Sequence, residues 1–193
     1  MSIEPVHFFL DWYKDAELSK VIEFNAMTLT TVNQMNQPSA RIVYCKEANQ
    51  QGVIFYTNYL GQKSQDIIYN PNVCVNFFWP EKMRQVRIQG LAEKISRIEN
   101  EKYFATRPRD SQIGAWASKQ SSVISSYAQL KNQVDIETEK FKNEDHIPCP
   151  DYWGGFLIRP NYFEFWQGRP GRLHERQCFS LQDRVWQAYL RSP

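Results

Sequence analysis

Val6, Phe9, Leu10 and Tyr13 recur at helical spacing behind Pro5, a residue suited to a first helical turn, and predict an amphipathic helix over about residues 5 to 19. The period then shortens to two. Residues 24 to 32, 39 to 46, 52 to 58, 72 to 79 and 83 to 96 are rich in Val, Ile, Thr, Phe and Tyr, and polar clusters at 33 to 38 and 47 to 52 separate the first three. They read as meandering antiparallel strands. A short helix is expected over 61 to 69, ended by Asn70-Pro71 because proline drives its predecessor out of the helical region. Residues 97 to 107 and about 122 to 143 are the other helical stretches, and Pro148 and Pro150 close that region. Strands resume at 155 to 159, 162 to 167, 172 to 180 and 184 to 190. Many short strands with few helices favour a barrel over a doubly wound sheet, in one domain spanning residues 1 to 193.

Composition agrees with a globular chain. At 193 residues and 42% hydrophobic content, a domain buries roughly 70% of the surface its unfolded chain exposes, so no disulfide or metal is needed to hold a core. A net charge of +2 gives no field strong enough to imply nucleic acid or an anionic membrane, although local arginines could bind a small anion. The four cysteines, Cys45, Cys74, Cys149 and Cys178, form no C-x-x-C pair and read as small buried hydrophobes in a reducing compartment. No metal site is expected. The N-terminus has no basic and apolar leader pattern and no stretch reaches the ~20 apolar residues of a membrane span, so a soluble cytoplasmic protein is expected.

Candidate chemistry is basic and aromatic. Strand alternation over Arg172-Leu-His-Glu-Arg176 would put Arg172, His174 and Arg176 on one face, which either meets an anion or is simply solvated. The aromatic run Phe163-Glu-Phe-Trp-Gln167 stands beside it. Tyr103, Arg107 and Ser111 are spaced i, i+4 and i+8, and Pro108 predicts a helix end near Arg107 and a new helix behind it. That junction would gather a phenol, a guanidinium and a hydroxyl near free backbone N–H groups, a phosphate cradle or an ordinary capped junction. Arg41 and Lys46 differ in strand parity, so they serve two anions or a bulge realigns them. Gln85, Arg87 and Gln89 share a face opposite Val86 and Ile88. No G-x-G-x-x-G, P-loop, G-x-S-x-G or H-E-x-x-H pattern occurs, and basic residues with aromatics and one His fit chemistry borrowed from a phosphorylated cofactor better than side-chain hydrolysis.

The stretch Arg107-Pro-Arg-Asp-Ser-Gln-Ile-Gly-Ala-Trp-Ala-Ser-Lys-Gln-Ser-Ser122 resembles the signature of the pyridoxine/pyridoxamine 5′-phosphate oxidases. Arg41-Ile-Val with Lys46, Phe55-Tyr-Thr-Asn58, Trp153-Gly-Gly-Phe156, Glu164-Phe-Trp-Gln-Gly168 and Arg172-Leu-His-Glu-Arg176 follow the family pattern in order, from about residue 5 to Pro193. The resemblance implies a mainly β fold, an antiparallel Greek-key split β-barrel with peripheral helices, as a homodimer with FMN at the interface and residues of both chains in each site. It implies FMN ligands at Arg41, Ile42, Lys46, Tyr56, Thr57, Lys63, Gln85, Gln120, Ser121, Trp166 and Arg176. Among these, Arg41 and Lys63 would hold the cofactor phosphate. Substrate phosphate would fall to Lys46, Tyr103, Arg107 and Ser111, with Arg172 and His174 catalytic beside the pyridine ring. This would resolve the parity of Arg41 and Lys46, each serving its own phosphate.

The implied reaction moves a hydride from the substrate's 4′ carbon to the flavin, which O2 reoxidises with release of H2O2, and yields pyridoxal 5′-phosphate. Arg172 is expected as a fixed cation, and His174 either orients the ring hydroxyl or moves a proton. Gln62 departs from the pattern, standing where an Arg often precedes Lys63. Other readings are a related flavin oxidase on another ring, such as a phenazine precursor, and a protein that holds FMN or pyridoxal 5′-phosphate without turnover. Retention of Tyr103, Arg107, Ser111, Arg172 and His174 favours the phosphorylated pyridine. A nucleic-acid-binding barrel is disfavoured by the small net charge.

Overall fold

A computed structural model describes residues 4–193. The leader reading made on the N-terminus falls partly on residues 1–3, which lie outside the described residues. Helix α1 (Pro5–Leu18) begins with its proline in the first turn, as the sequence predicts, and buries Val6, Phe9 and Ala16. The strands are β1 (Ala26–Val32), β2 (Pro38–Tyr44), β3 (Glu47–Asn49), β4 (Gly52–Asn58), β5 (Asn72–Trp79), β6 (Arg84–Lys94), β7 (Trp153–Gln167), β8 (Glu175–Gln182) and β9 (Val185–Leu190). Four further helices are α2 (Gln62–Tyr69), α3 (Arg97–Ala105), α4 (Arg109–Ala117) and α5 (Tyr127–Lys140). No helix among the described residues is long and apolar enough to cross a membrane.

All strand pairs are antiparallel, and the order β2-β1-β5-β6-β7-β4-β3, with β8 and β9 continuing from β7, makes one curled sheet. The fold is a split β-barrel with helices at its periphery. A plain meander does not survive. Hairpins β1–β2 and β3–β4 sit at opposite ends of the order, and β5 pairs with β1 rather than with β4. Closing a curled sheet requires such long-range pairs, which a local pattern cannot specify.

Strand β7 carries the architecture. Residues 156–167 pair with β6 on one edge, while the other edge pairs with β4 over residues 153–158 and with β8 over 162–167. Two strands were expected here, split at Pro160; they are one strand with a register shift opposite Gln89/Gly90. Gly90 permits the bend, since a Cβ there would collide with the Arg159 carbonyl. The Arg172 to Ser180 strand also needs correction. Pro170–Arg172 is a short 3-10 turn, Gly171 and Arg172 have φ of 65° and 62°, and β8 begins only at Glu175. Arg172 and His174 therefore precede the strand and share no strand face with Arg176.

Two cores flank β4. Phe55 faces the barrel core with Phe9, Met27, Leu29, Phe77, Trp79, Phe163 and Phe179, while Tyr56 packs on a second core of Phe104, Ile113, Phe141, Ile147 and Trp153 beneath the helices. Alternation along one strand thus joins barrel to helices. Three of the four free cysteines are buried, in keeping with their reading as small hydrophobes.

Candidate active site

A cavity of about 810 Å³ opens between β2, β4, α2 and the α3–α4 junction. It is lined by Ile42, Lys46, Tyr56, Thr57, Lys63, Tyr103, Arg107, Ser111 and Gln120, all singled out in the sequence. Helix α3 is started by a capping box between Ser96 and Glu99 and stops at Ala105; Pro108 then caps α4. That break turns Tyr103, Arg107 and Ser111 into one wall, as the spacing predicts.

Aromatic faces fix the cation. Tyr56 stacks on Tyr103 at 3.9 Å between ring centroids and on Trp153 at 5.3 Å, and the Arg107 guanidinium lies 4.6 Å over the Trp153 ring. Its Nη1 is buried without a hydrogen-bond partner. Burial pulls the Arg107 pKa below its usual value, partly opposed by Tyr103 and Cys149, and burial pushes Tyr56 up to about 12. A buried cation with an idle N–H invites an anion.

At the other end Lys63 Nζ donates to Gln120 Oε1 at 2.7 Å and to Thr57 Oγ1 at 3.3 Å. Thr57 also donates to Gln120 Oε1, at 3.0 Å, and Ser121 Oγ accepts the Gln62 backbone N–H at 3.1 Å, so the loop after α4 docks on the start of α2. Burial, then the charge of Arg41, pull the Lys63 pKa down. Arg41 does not line this cavity and donates to Thr31 and Ser39, while Lys46 follows the end of β2, outside the regular strand on which the parity question rested. Among the described residues no carboxylate lies in ion-pair reach of Arg41, Lys46, Lys63 or Arg107. The donor set therefore fits a ligand with phosphate groups and flat rings.

The remaining candidates form a second constellation that does not line this cavity. Register places Gln85 opposite Trp166 and Trp166 opposite Arg176, across β6, β7 and β8. Beside them the His174 ring lies 4.7 Å from Trp166, and its Nδ1 accepts the Arg169 N–H at 3.1 Å. Arg172 is exposed on its turn. Arg176 forms a bidentate pair with Glu164, at 3.1 and 3.0 Å, and Arg87 reaches the same carboxylate at 2.7 Å. Burial pushes the Glu164 pKa up, but hydrogen bonds from Arg176 and Tyr162 and the two arginine charges hold it below the usual value. Trp153 was quoted only within a motif, yet it supplies the face under Arg107; its repeated aromatic neighbours on β4 and α3 reveal this only in three dimensions.

Solved structures with this fold include PhzG from Burkholderia lata 383 in complex with tetrahydrophenazine-1-carboxylic acid, with TM-score 0.93, 24% identity and coverage of 98% of this chain and 93% of that one. A pyridoxamine 5′-phosphate oxidase-related, FMN-binding protein from Nostoc punctiforme has TM-score 0.78 at 16% identity, over 100% of both chains. These likenesses define the fold class, a split β-barrel. Residues 14–140 match the family described as pyridoxamine 5′-phosphate oxidase, and residues 153–193 match the pyridoxine 5′-phosphate oxidase C-terminal dimerisation region. The pyridoxine/pyridoxamine 5′-phosphate oxidase 2 of Hydrogenovibrio crunogenus is 49% identical over 94% of this chain and 85% of its own length. The corresponding enzyme of Haemophilus influenzae is 47% identical over 94% and 86%. The chain belongs to the pyridoxine/pyridoxamine 5′-phosphate oxidase family.

Proposed function

We propose that this chain is an FMN-dependent oxidase, one domain over residues 1–193, that converts pyridoxamine or pyridoxine 5′-phosphate to pyridoxal 5′-phosphate. The amine reaction consumes O2 and water and releases ammonia and H2O2; the alcohol reaction consumes O2 and releases H2O2. One observation carries the reading: Arg107, Lys46 and Lys63 face a single cavity walled by Tyr56, Tyr103 and Trp153 and have no carboxylate partner among the described residues. A phosphorylated pyridine and a phosphorylated flavin both satisfy that donor set.

In this reading Lys46, Tyr103, Arg107 and Ser111 hold the substrate phosphate, and Lys63 with Arg41 serves the cofactor phosphate. Bound FMN supplies the redox chemistry by accepting a hydride from the substrate and passing electrons to O2. Gln85, Trp166, Arg172, His174 and Arg176 complete the site from a second copy of the chain, giving a homodimer with FMN at its interface. Two features support this: the second constellation does not line the cavity, and most of it lies in the dimerisation match. Arg172 acts as a fixed positive charge and His174 as the group that orients or relays a proton at the ring. Four free cysteines fit a cytoplasmic setting.

The test is to record the flavin band of the purified protein and add pyridoxamine 5′-phosphate without oxygen. Bleaching that air reverses is the expected result. A protein that retains flavin but stays unbleached with both phosphorylated vitamers refutes the oxidase reading.

A further inference from the structure

The Arg41 guanidinium is tied to a buried carboxylate it does not touch. Arg41 Nη1 donates to Thr31 Oγ1 at 2.7 Å, and Thr31 Oγ1 lies 2.7 Å from Asp66 Oδ2. A guanidinium can only donate and an ionised carboxylate can only accept, so the one hydroxyl proton points from Thr31 to Asp66. Thr31 is fully buried and Asp66 is 3% exposed. The second Asp66 oxygen accepts Gln62 Nε2 at 2.8 Å, one helical turn away on α2. Ser39 Oγ takes Arg41 Nη2 at 2.7 Å and the Leu29 carbonyl is a longer partner at 3.4 Å, leaving the Thr31 contact as the link between β2 and α2.

This arrangement answers an electrostatic difficulty. Arg41 and Lys63 repel each other, and each is also depressed by burial. Two such cations separate into solvent unless something holds them. We infer that Asp66, acting through Thr31, is a positioning device that keeps Arg41 beside Lys63 as a preformed seat for the cofactor phosphate, with Gln62 securing the carboxylate rather than contacting that phosphate. The inference rests on the proposed roles of Arg41 and Lys63.

Its test compares flavins with and without the phosphate. The full-length chain, stripped of flavin, is titrated with FMN and with riboflavin, following fluorescence quenching. Thr31→Val keeps the shape and β-propensity of the side chain, deletes the relay, and is expected to weaken FMN about tenfold while leaving riboflavin within about twofold. Thr31→Ser restores the hydroxyl and the FMN affinity. Asp66→Ala is expected to weaken FMN as well, although removing a negative charge near the phosphate would by Coulomb attraction alone tighten it. Unchanged FMN binding in Thr31→Val, equal losses for both flavins, or tighter FMN binding in Asp66→Ala overturns the relay. Arg41→Ala separates the two claims. If it weakens FMN while Thr31→Val does not, only the relay fails; if Arg41→Ala itself binds FMN normally, the assignment of the cofactor phosphate fails with it.

Discussion

A cation held by ring faces rather than by a carboxylate stays available to a ligand, and Arg107 is held that way, over Trp153 and beside Phe104 with Nη1 idle. Lysine cannot reproduce that planar, stacked geometry. Arg107→Lys should therefore raise KM for pyridoxamine 5′-phosphate about 10- to 100-fold, with the flavin spectrum unchanged, as expected for loss of a charged hydrogen bond. Steady-state kinetics at matched flavin content is the check; unchanged KM would remove Arg107 from the phosphate site. Single-residue readings from the sequence held where they rested on spacing within a helix or a helix break, as with Tyr103, Arg107 and Ser111. They failed where they rested on strand parity beyond the strand's end. Arg172 lies on a turn with positive φ, so alternation never applied to it.

At the scale of elements, Glu164 joins three strands. From β7 it accepts Arg87 of β6 and Arg176 of β8, while Tyr162 donates to it at 3.0 Å. Its carboxyl is held below the usual 4.5, so the stability it contributes is fully present above that value and is lost as pH falls through the native pKa. Glu164→Gln should cost about 2–3 kcal/mol at pH 7, somewhat less than a fully buried pair because both guanidiniums are partly exposed. Thermal unfolding of both forms across pH 7 to pH 3 checks this: the gap should narrow below the ordinary carboxylate range, and a constant gap would contradict the role. The helix start at Pro5 was readable because the fit of proline to a first helical turn is local. Strand β3 lay in a cluster read as a turn, and β7 was divided at Pro160, because pairing partners, not local propensity, extend a strand.

For the whole molecule, the two constellations make a distinctive prediction. If each site takes Arg107 from one protomer and Arg172 from its partner, chains carrying Arg107→Ala and Arg172→Ala complement each other when coexpressed. Random assortment puts both substitutions in the same site of a mixed dimer and leaves the other intact, for about a quarter of wild-type activity. No recovery above either variant alone would place both residues in the site of a single chain.

The sequence by itself determined the periodicities, the helix start at Pro5, the helix breaks at Asn70 and Pro108, and the motif order that marks the family, because each depends on neighbours in the chain. Only the tertiary structure decided which cations share a cavity, that Trp153 lies beneath Arg107, and that Asp66 reaches Arg41 through Thr31. The physical reason is the curl of the sheet. Closing it pairs strands distant in sequence, so Arg41 meets Thr31 and Asp66, and Glu164 meets Arg87 and Arg176, only after the long-range register is set.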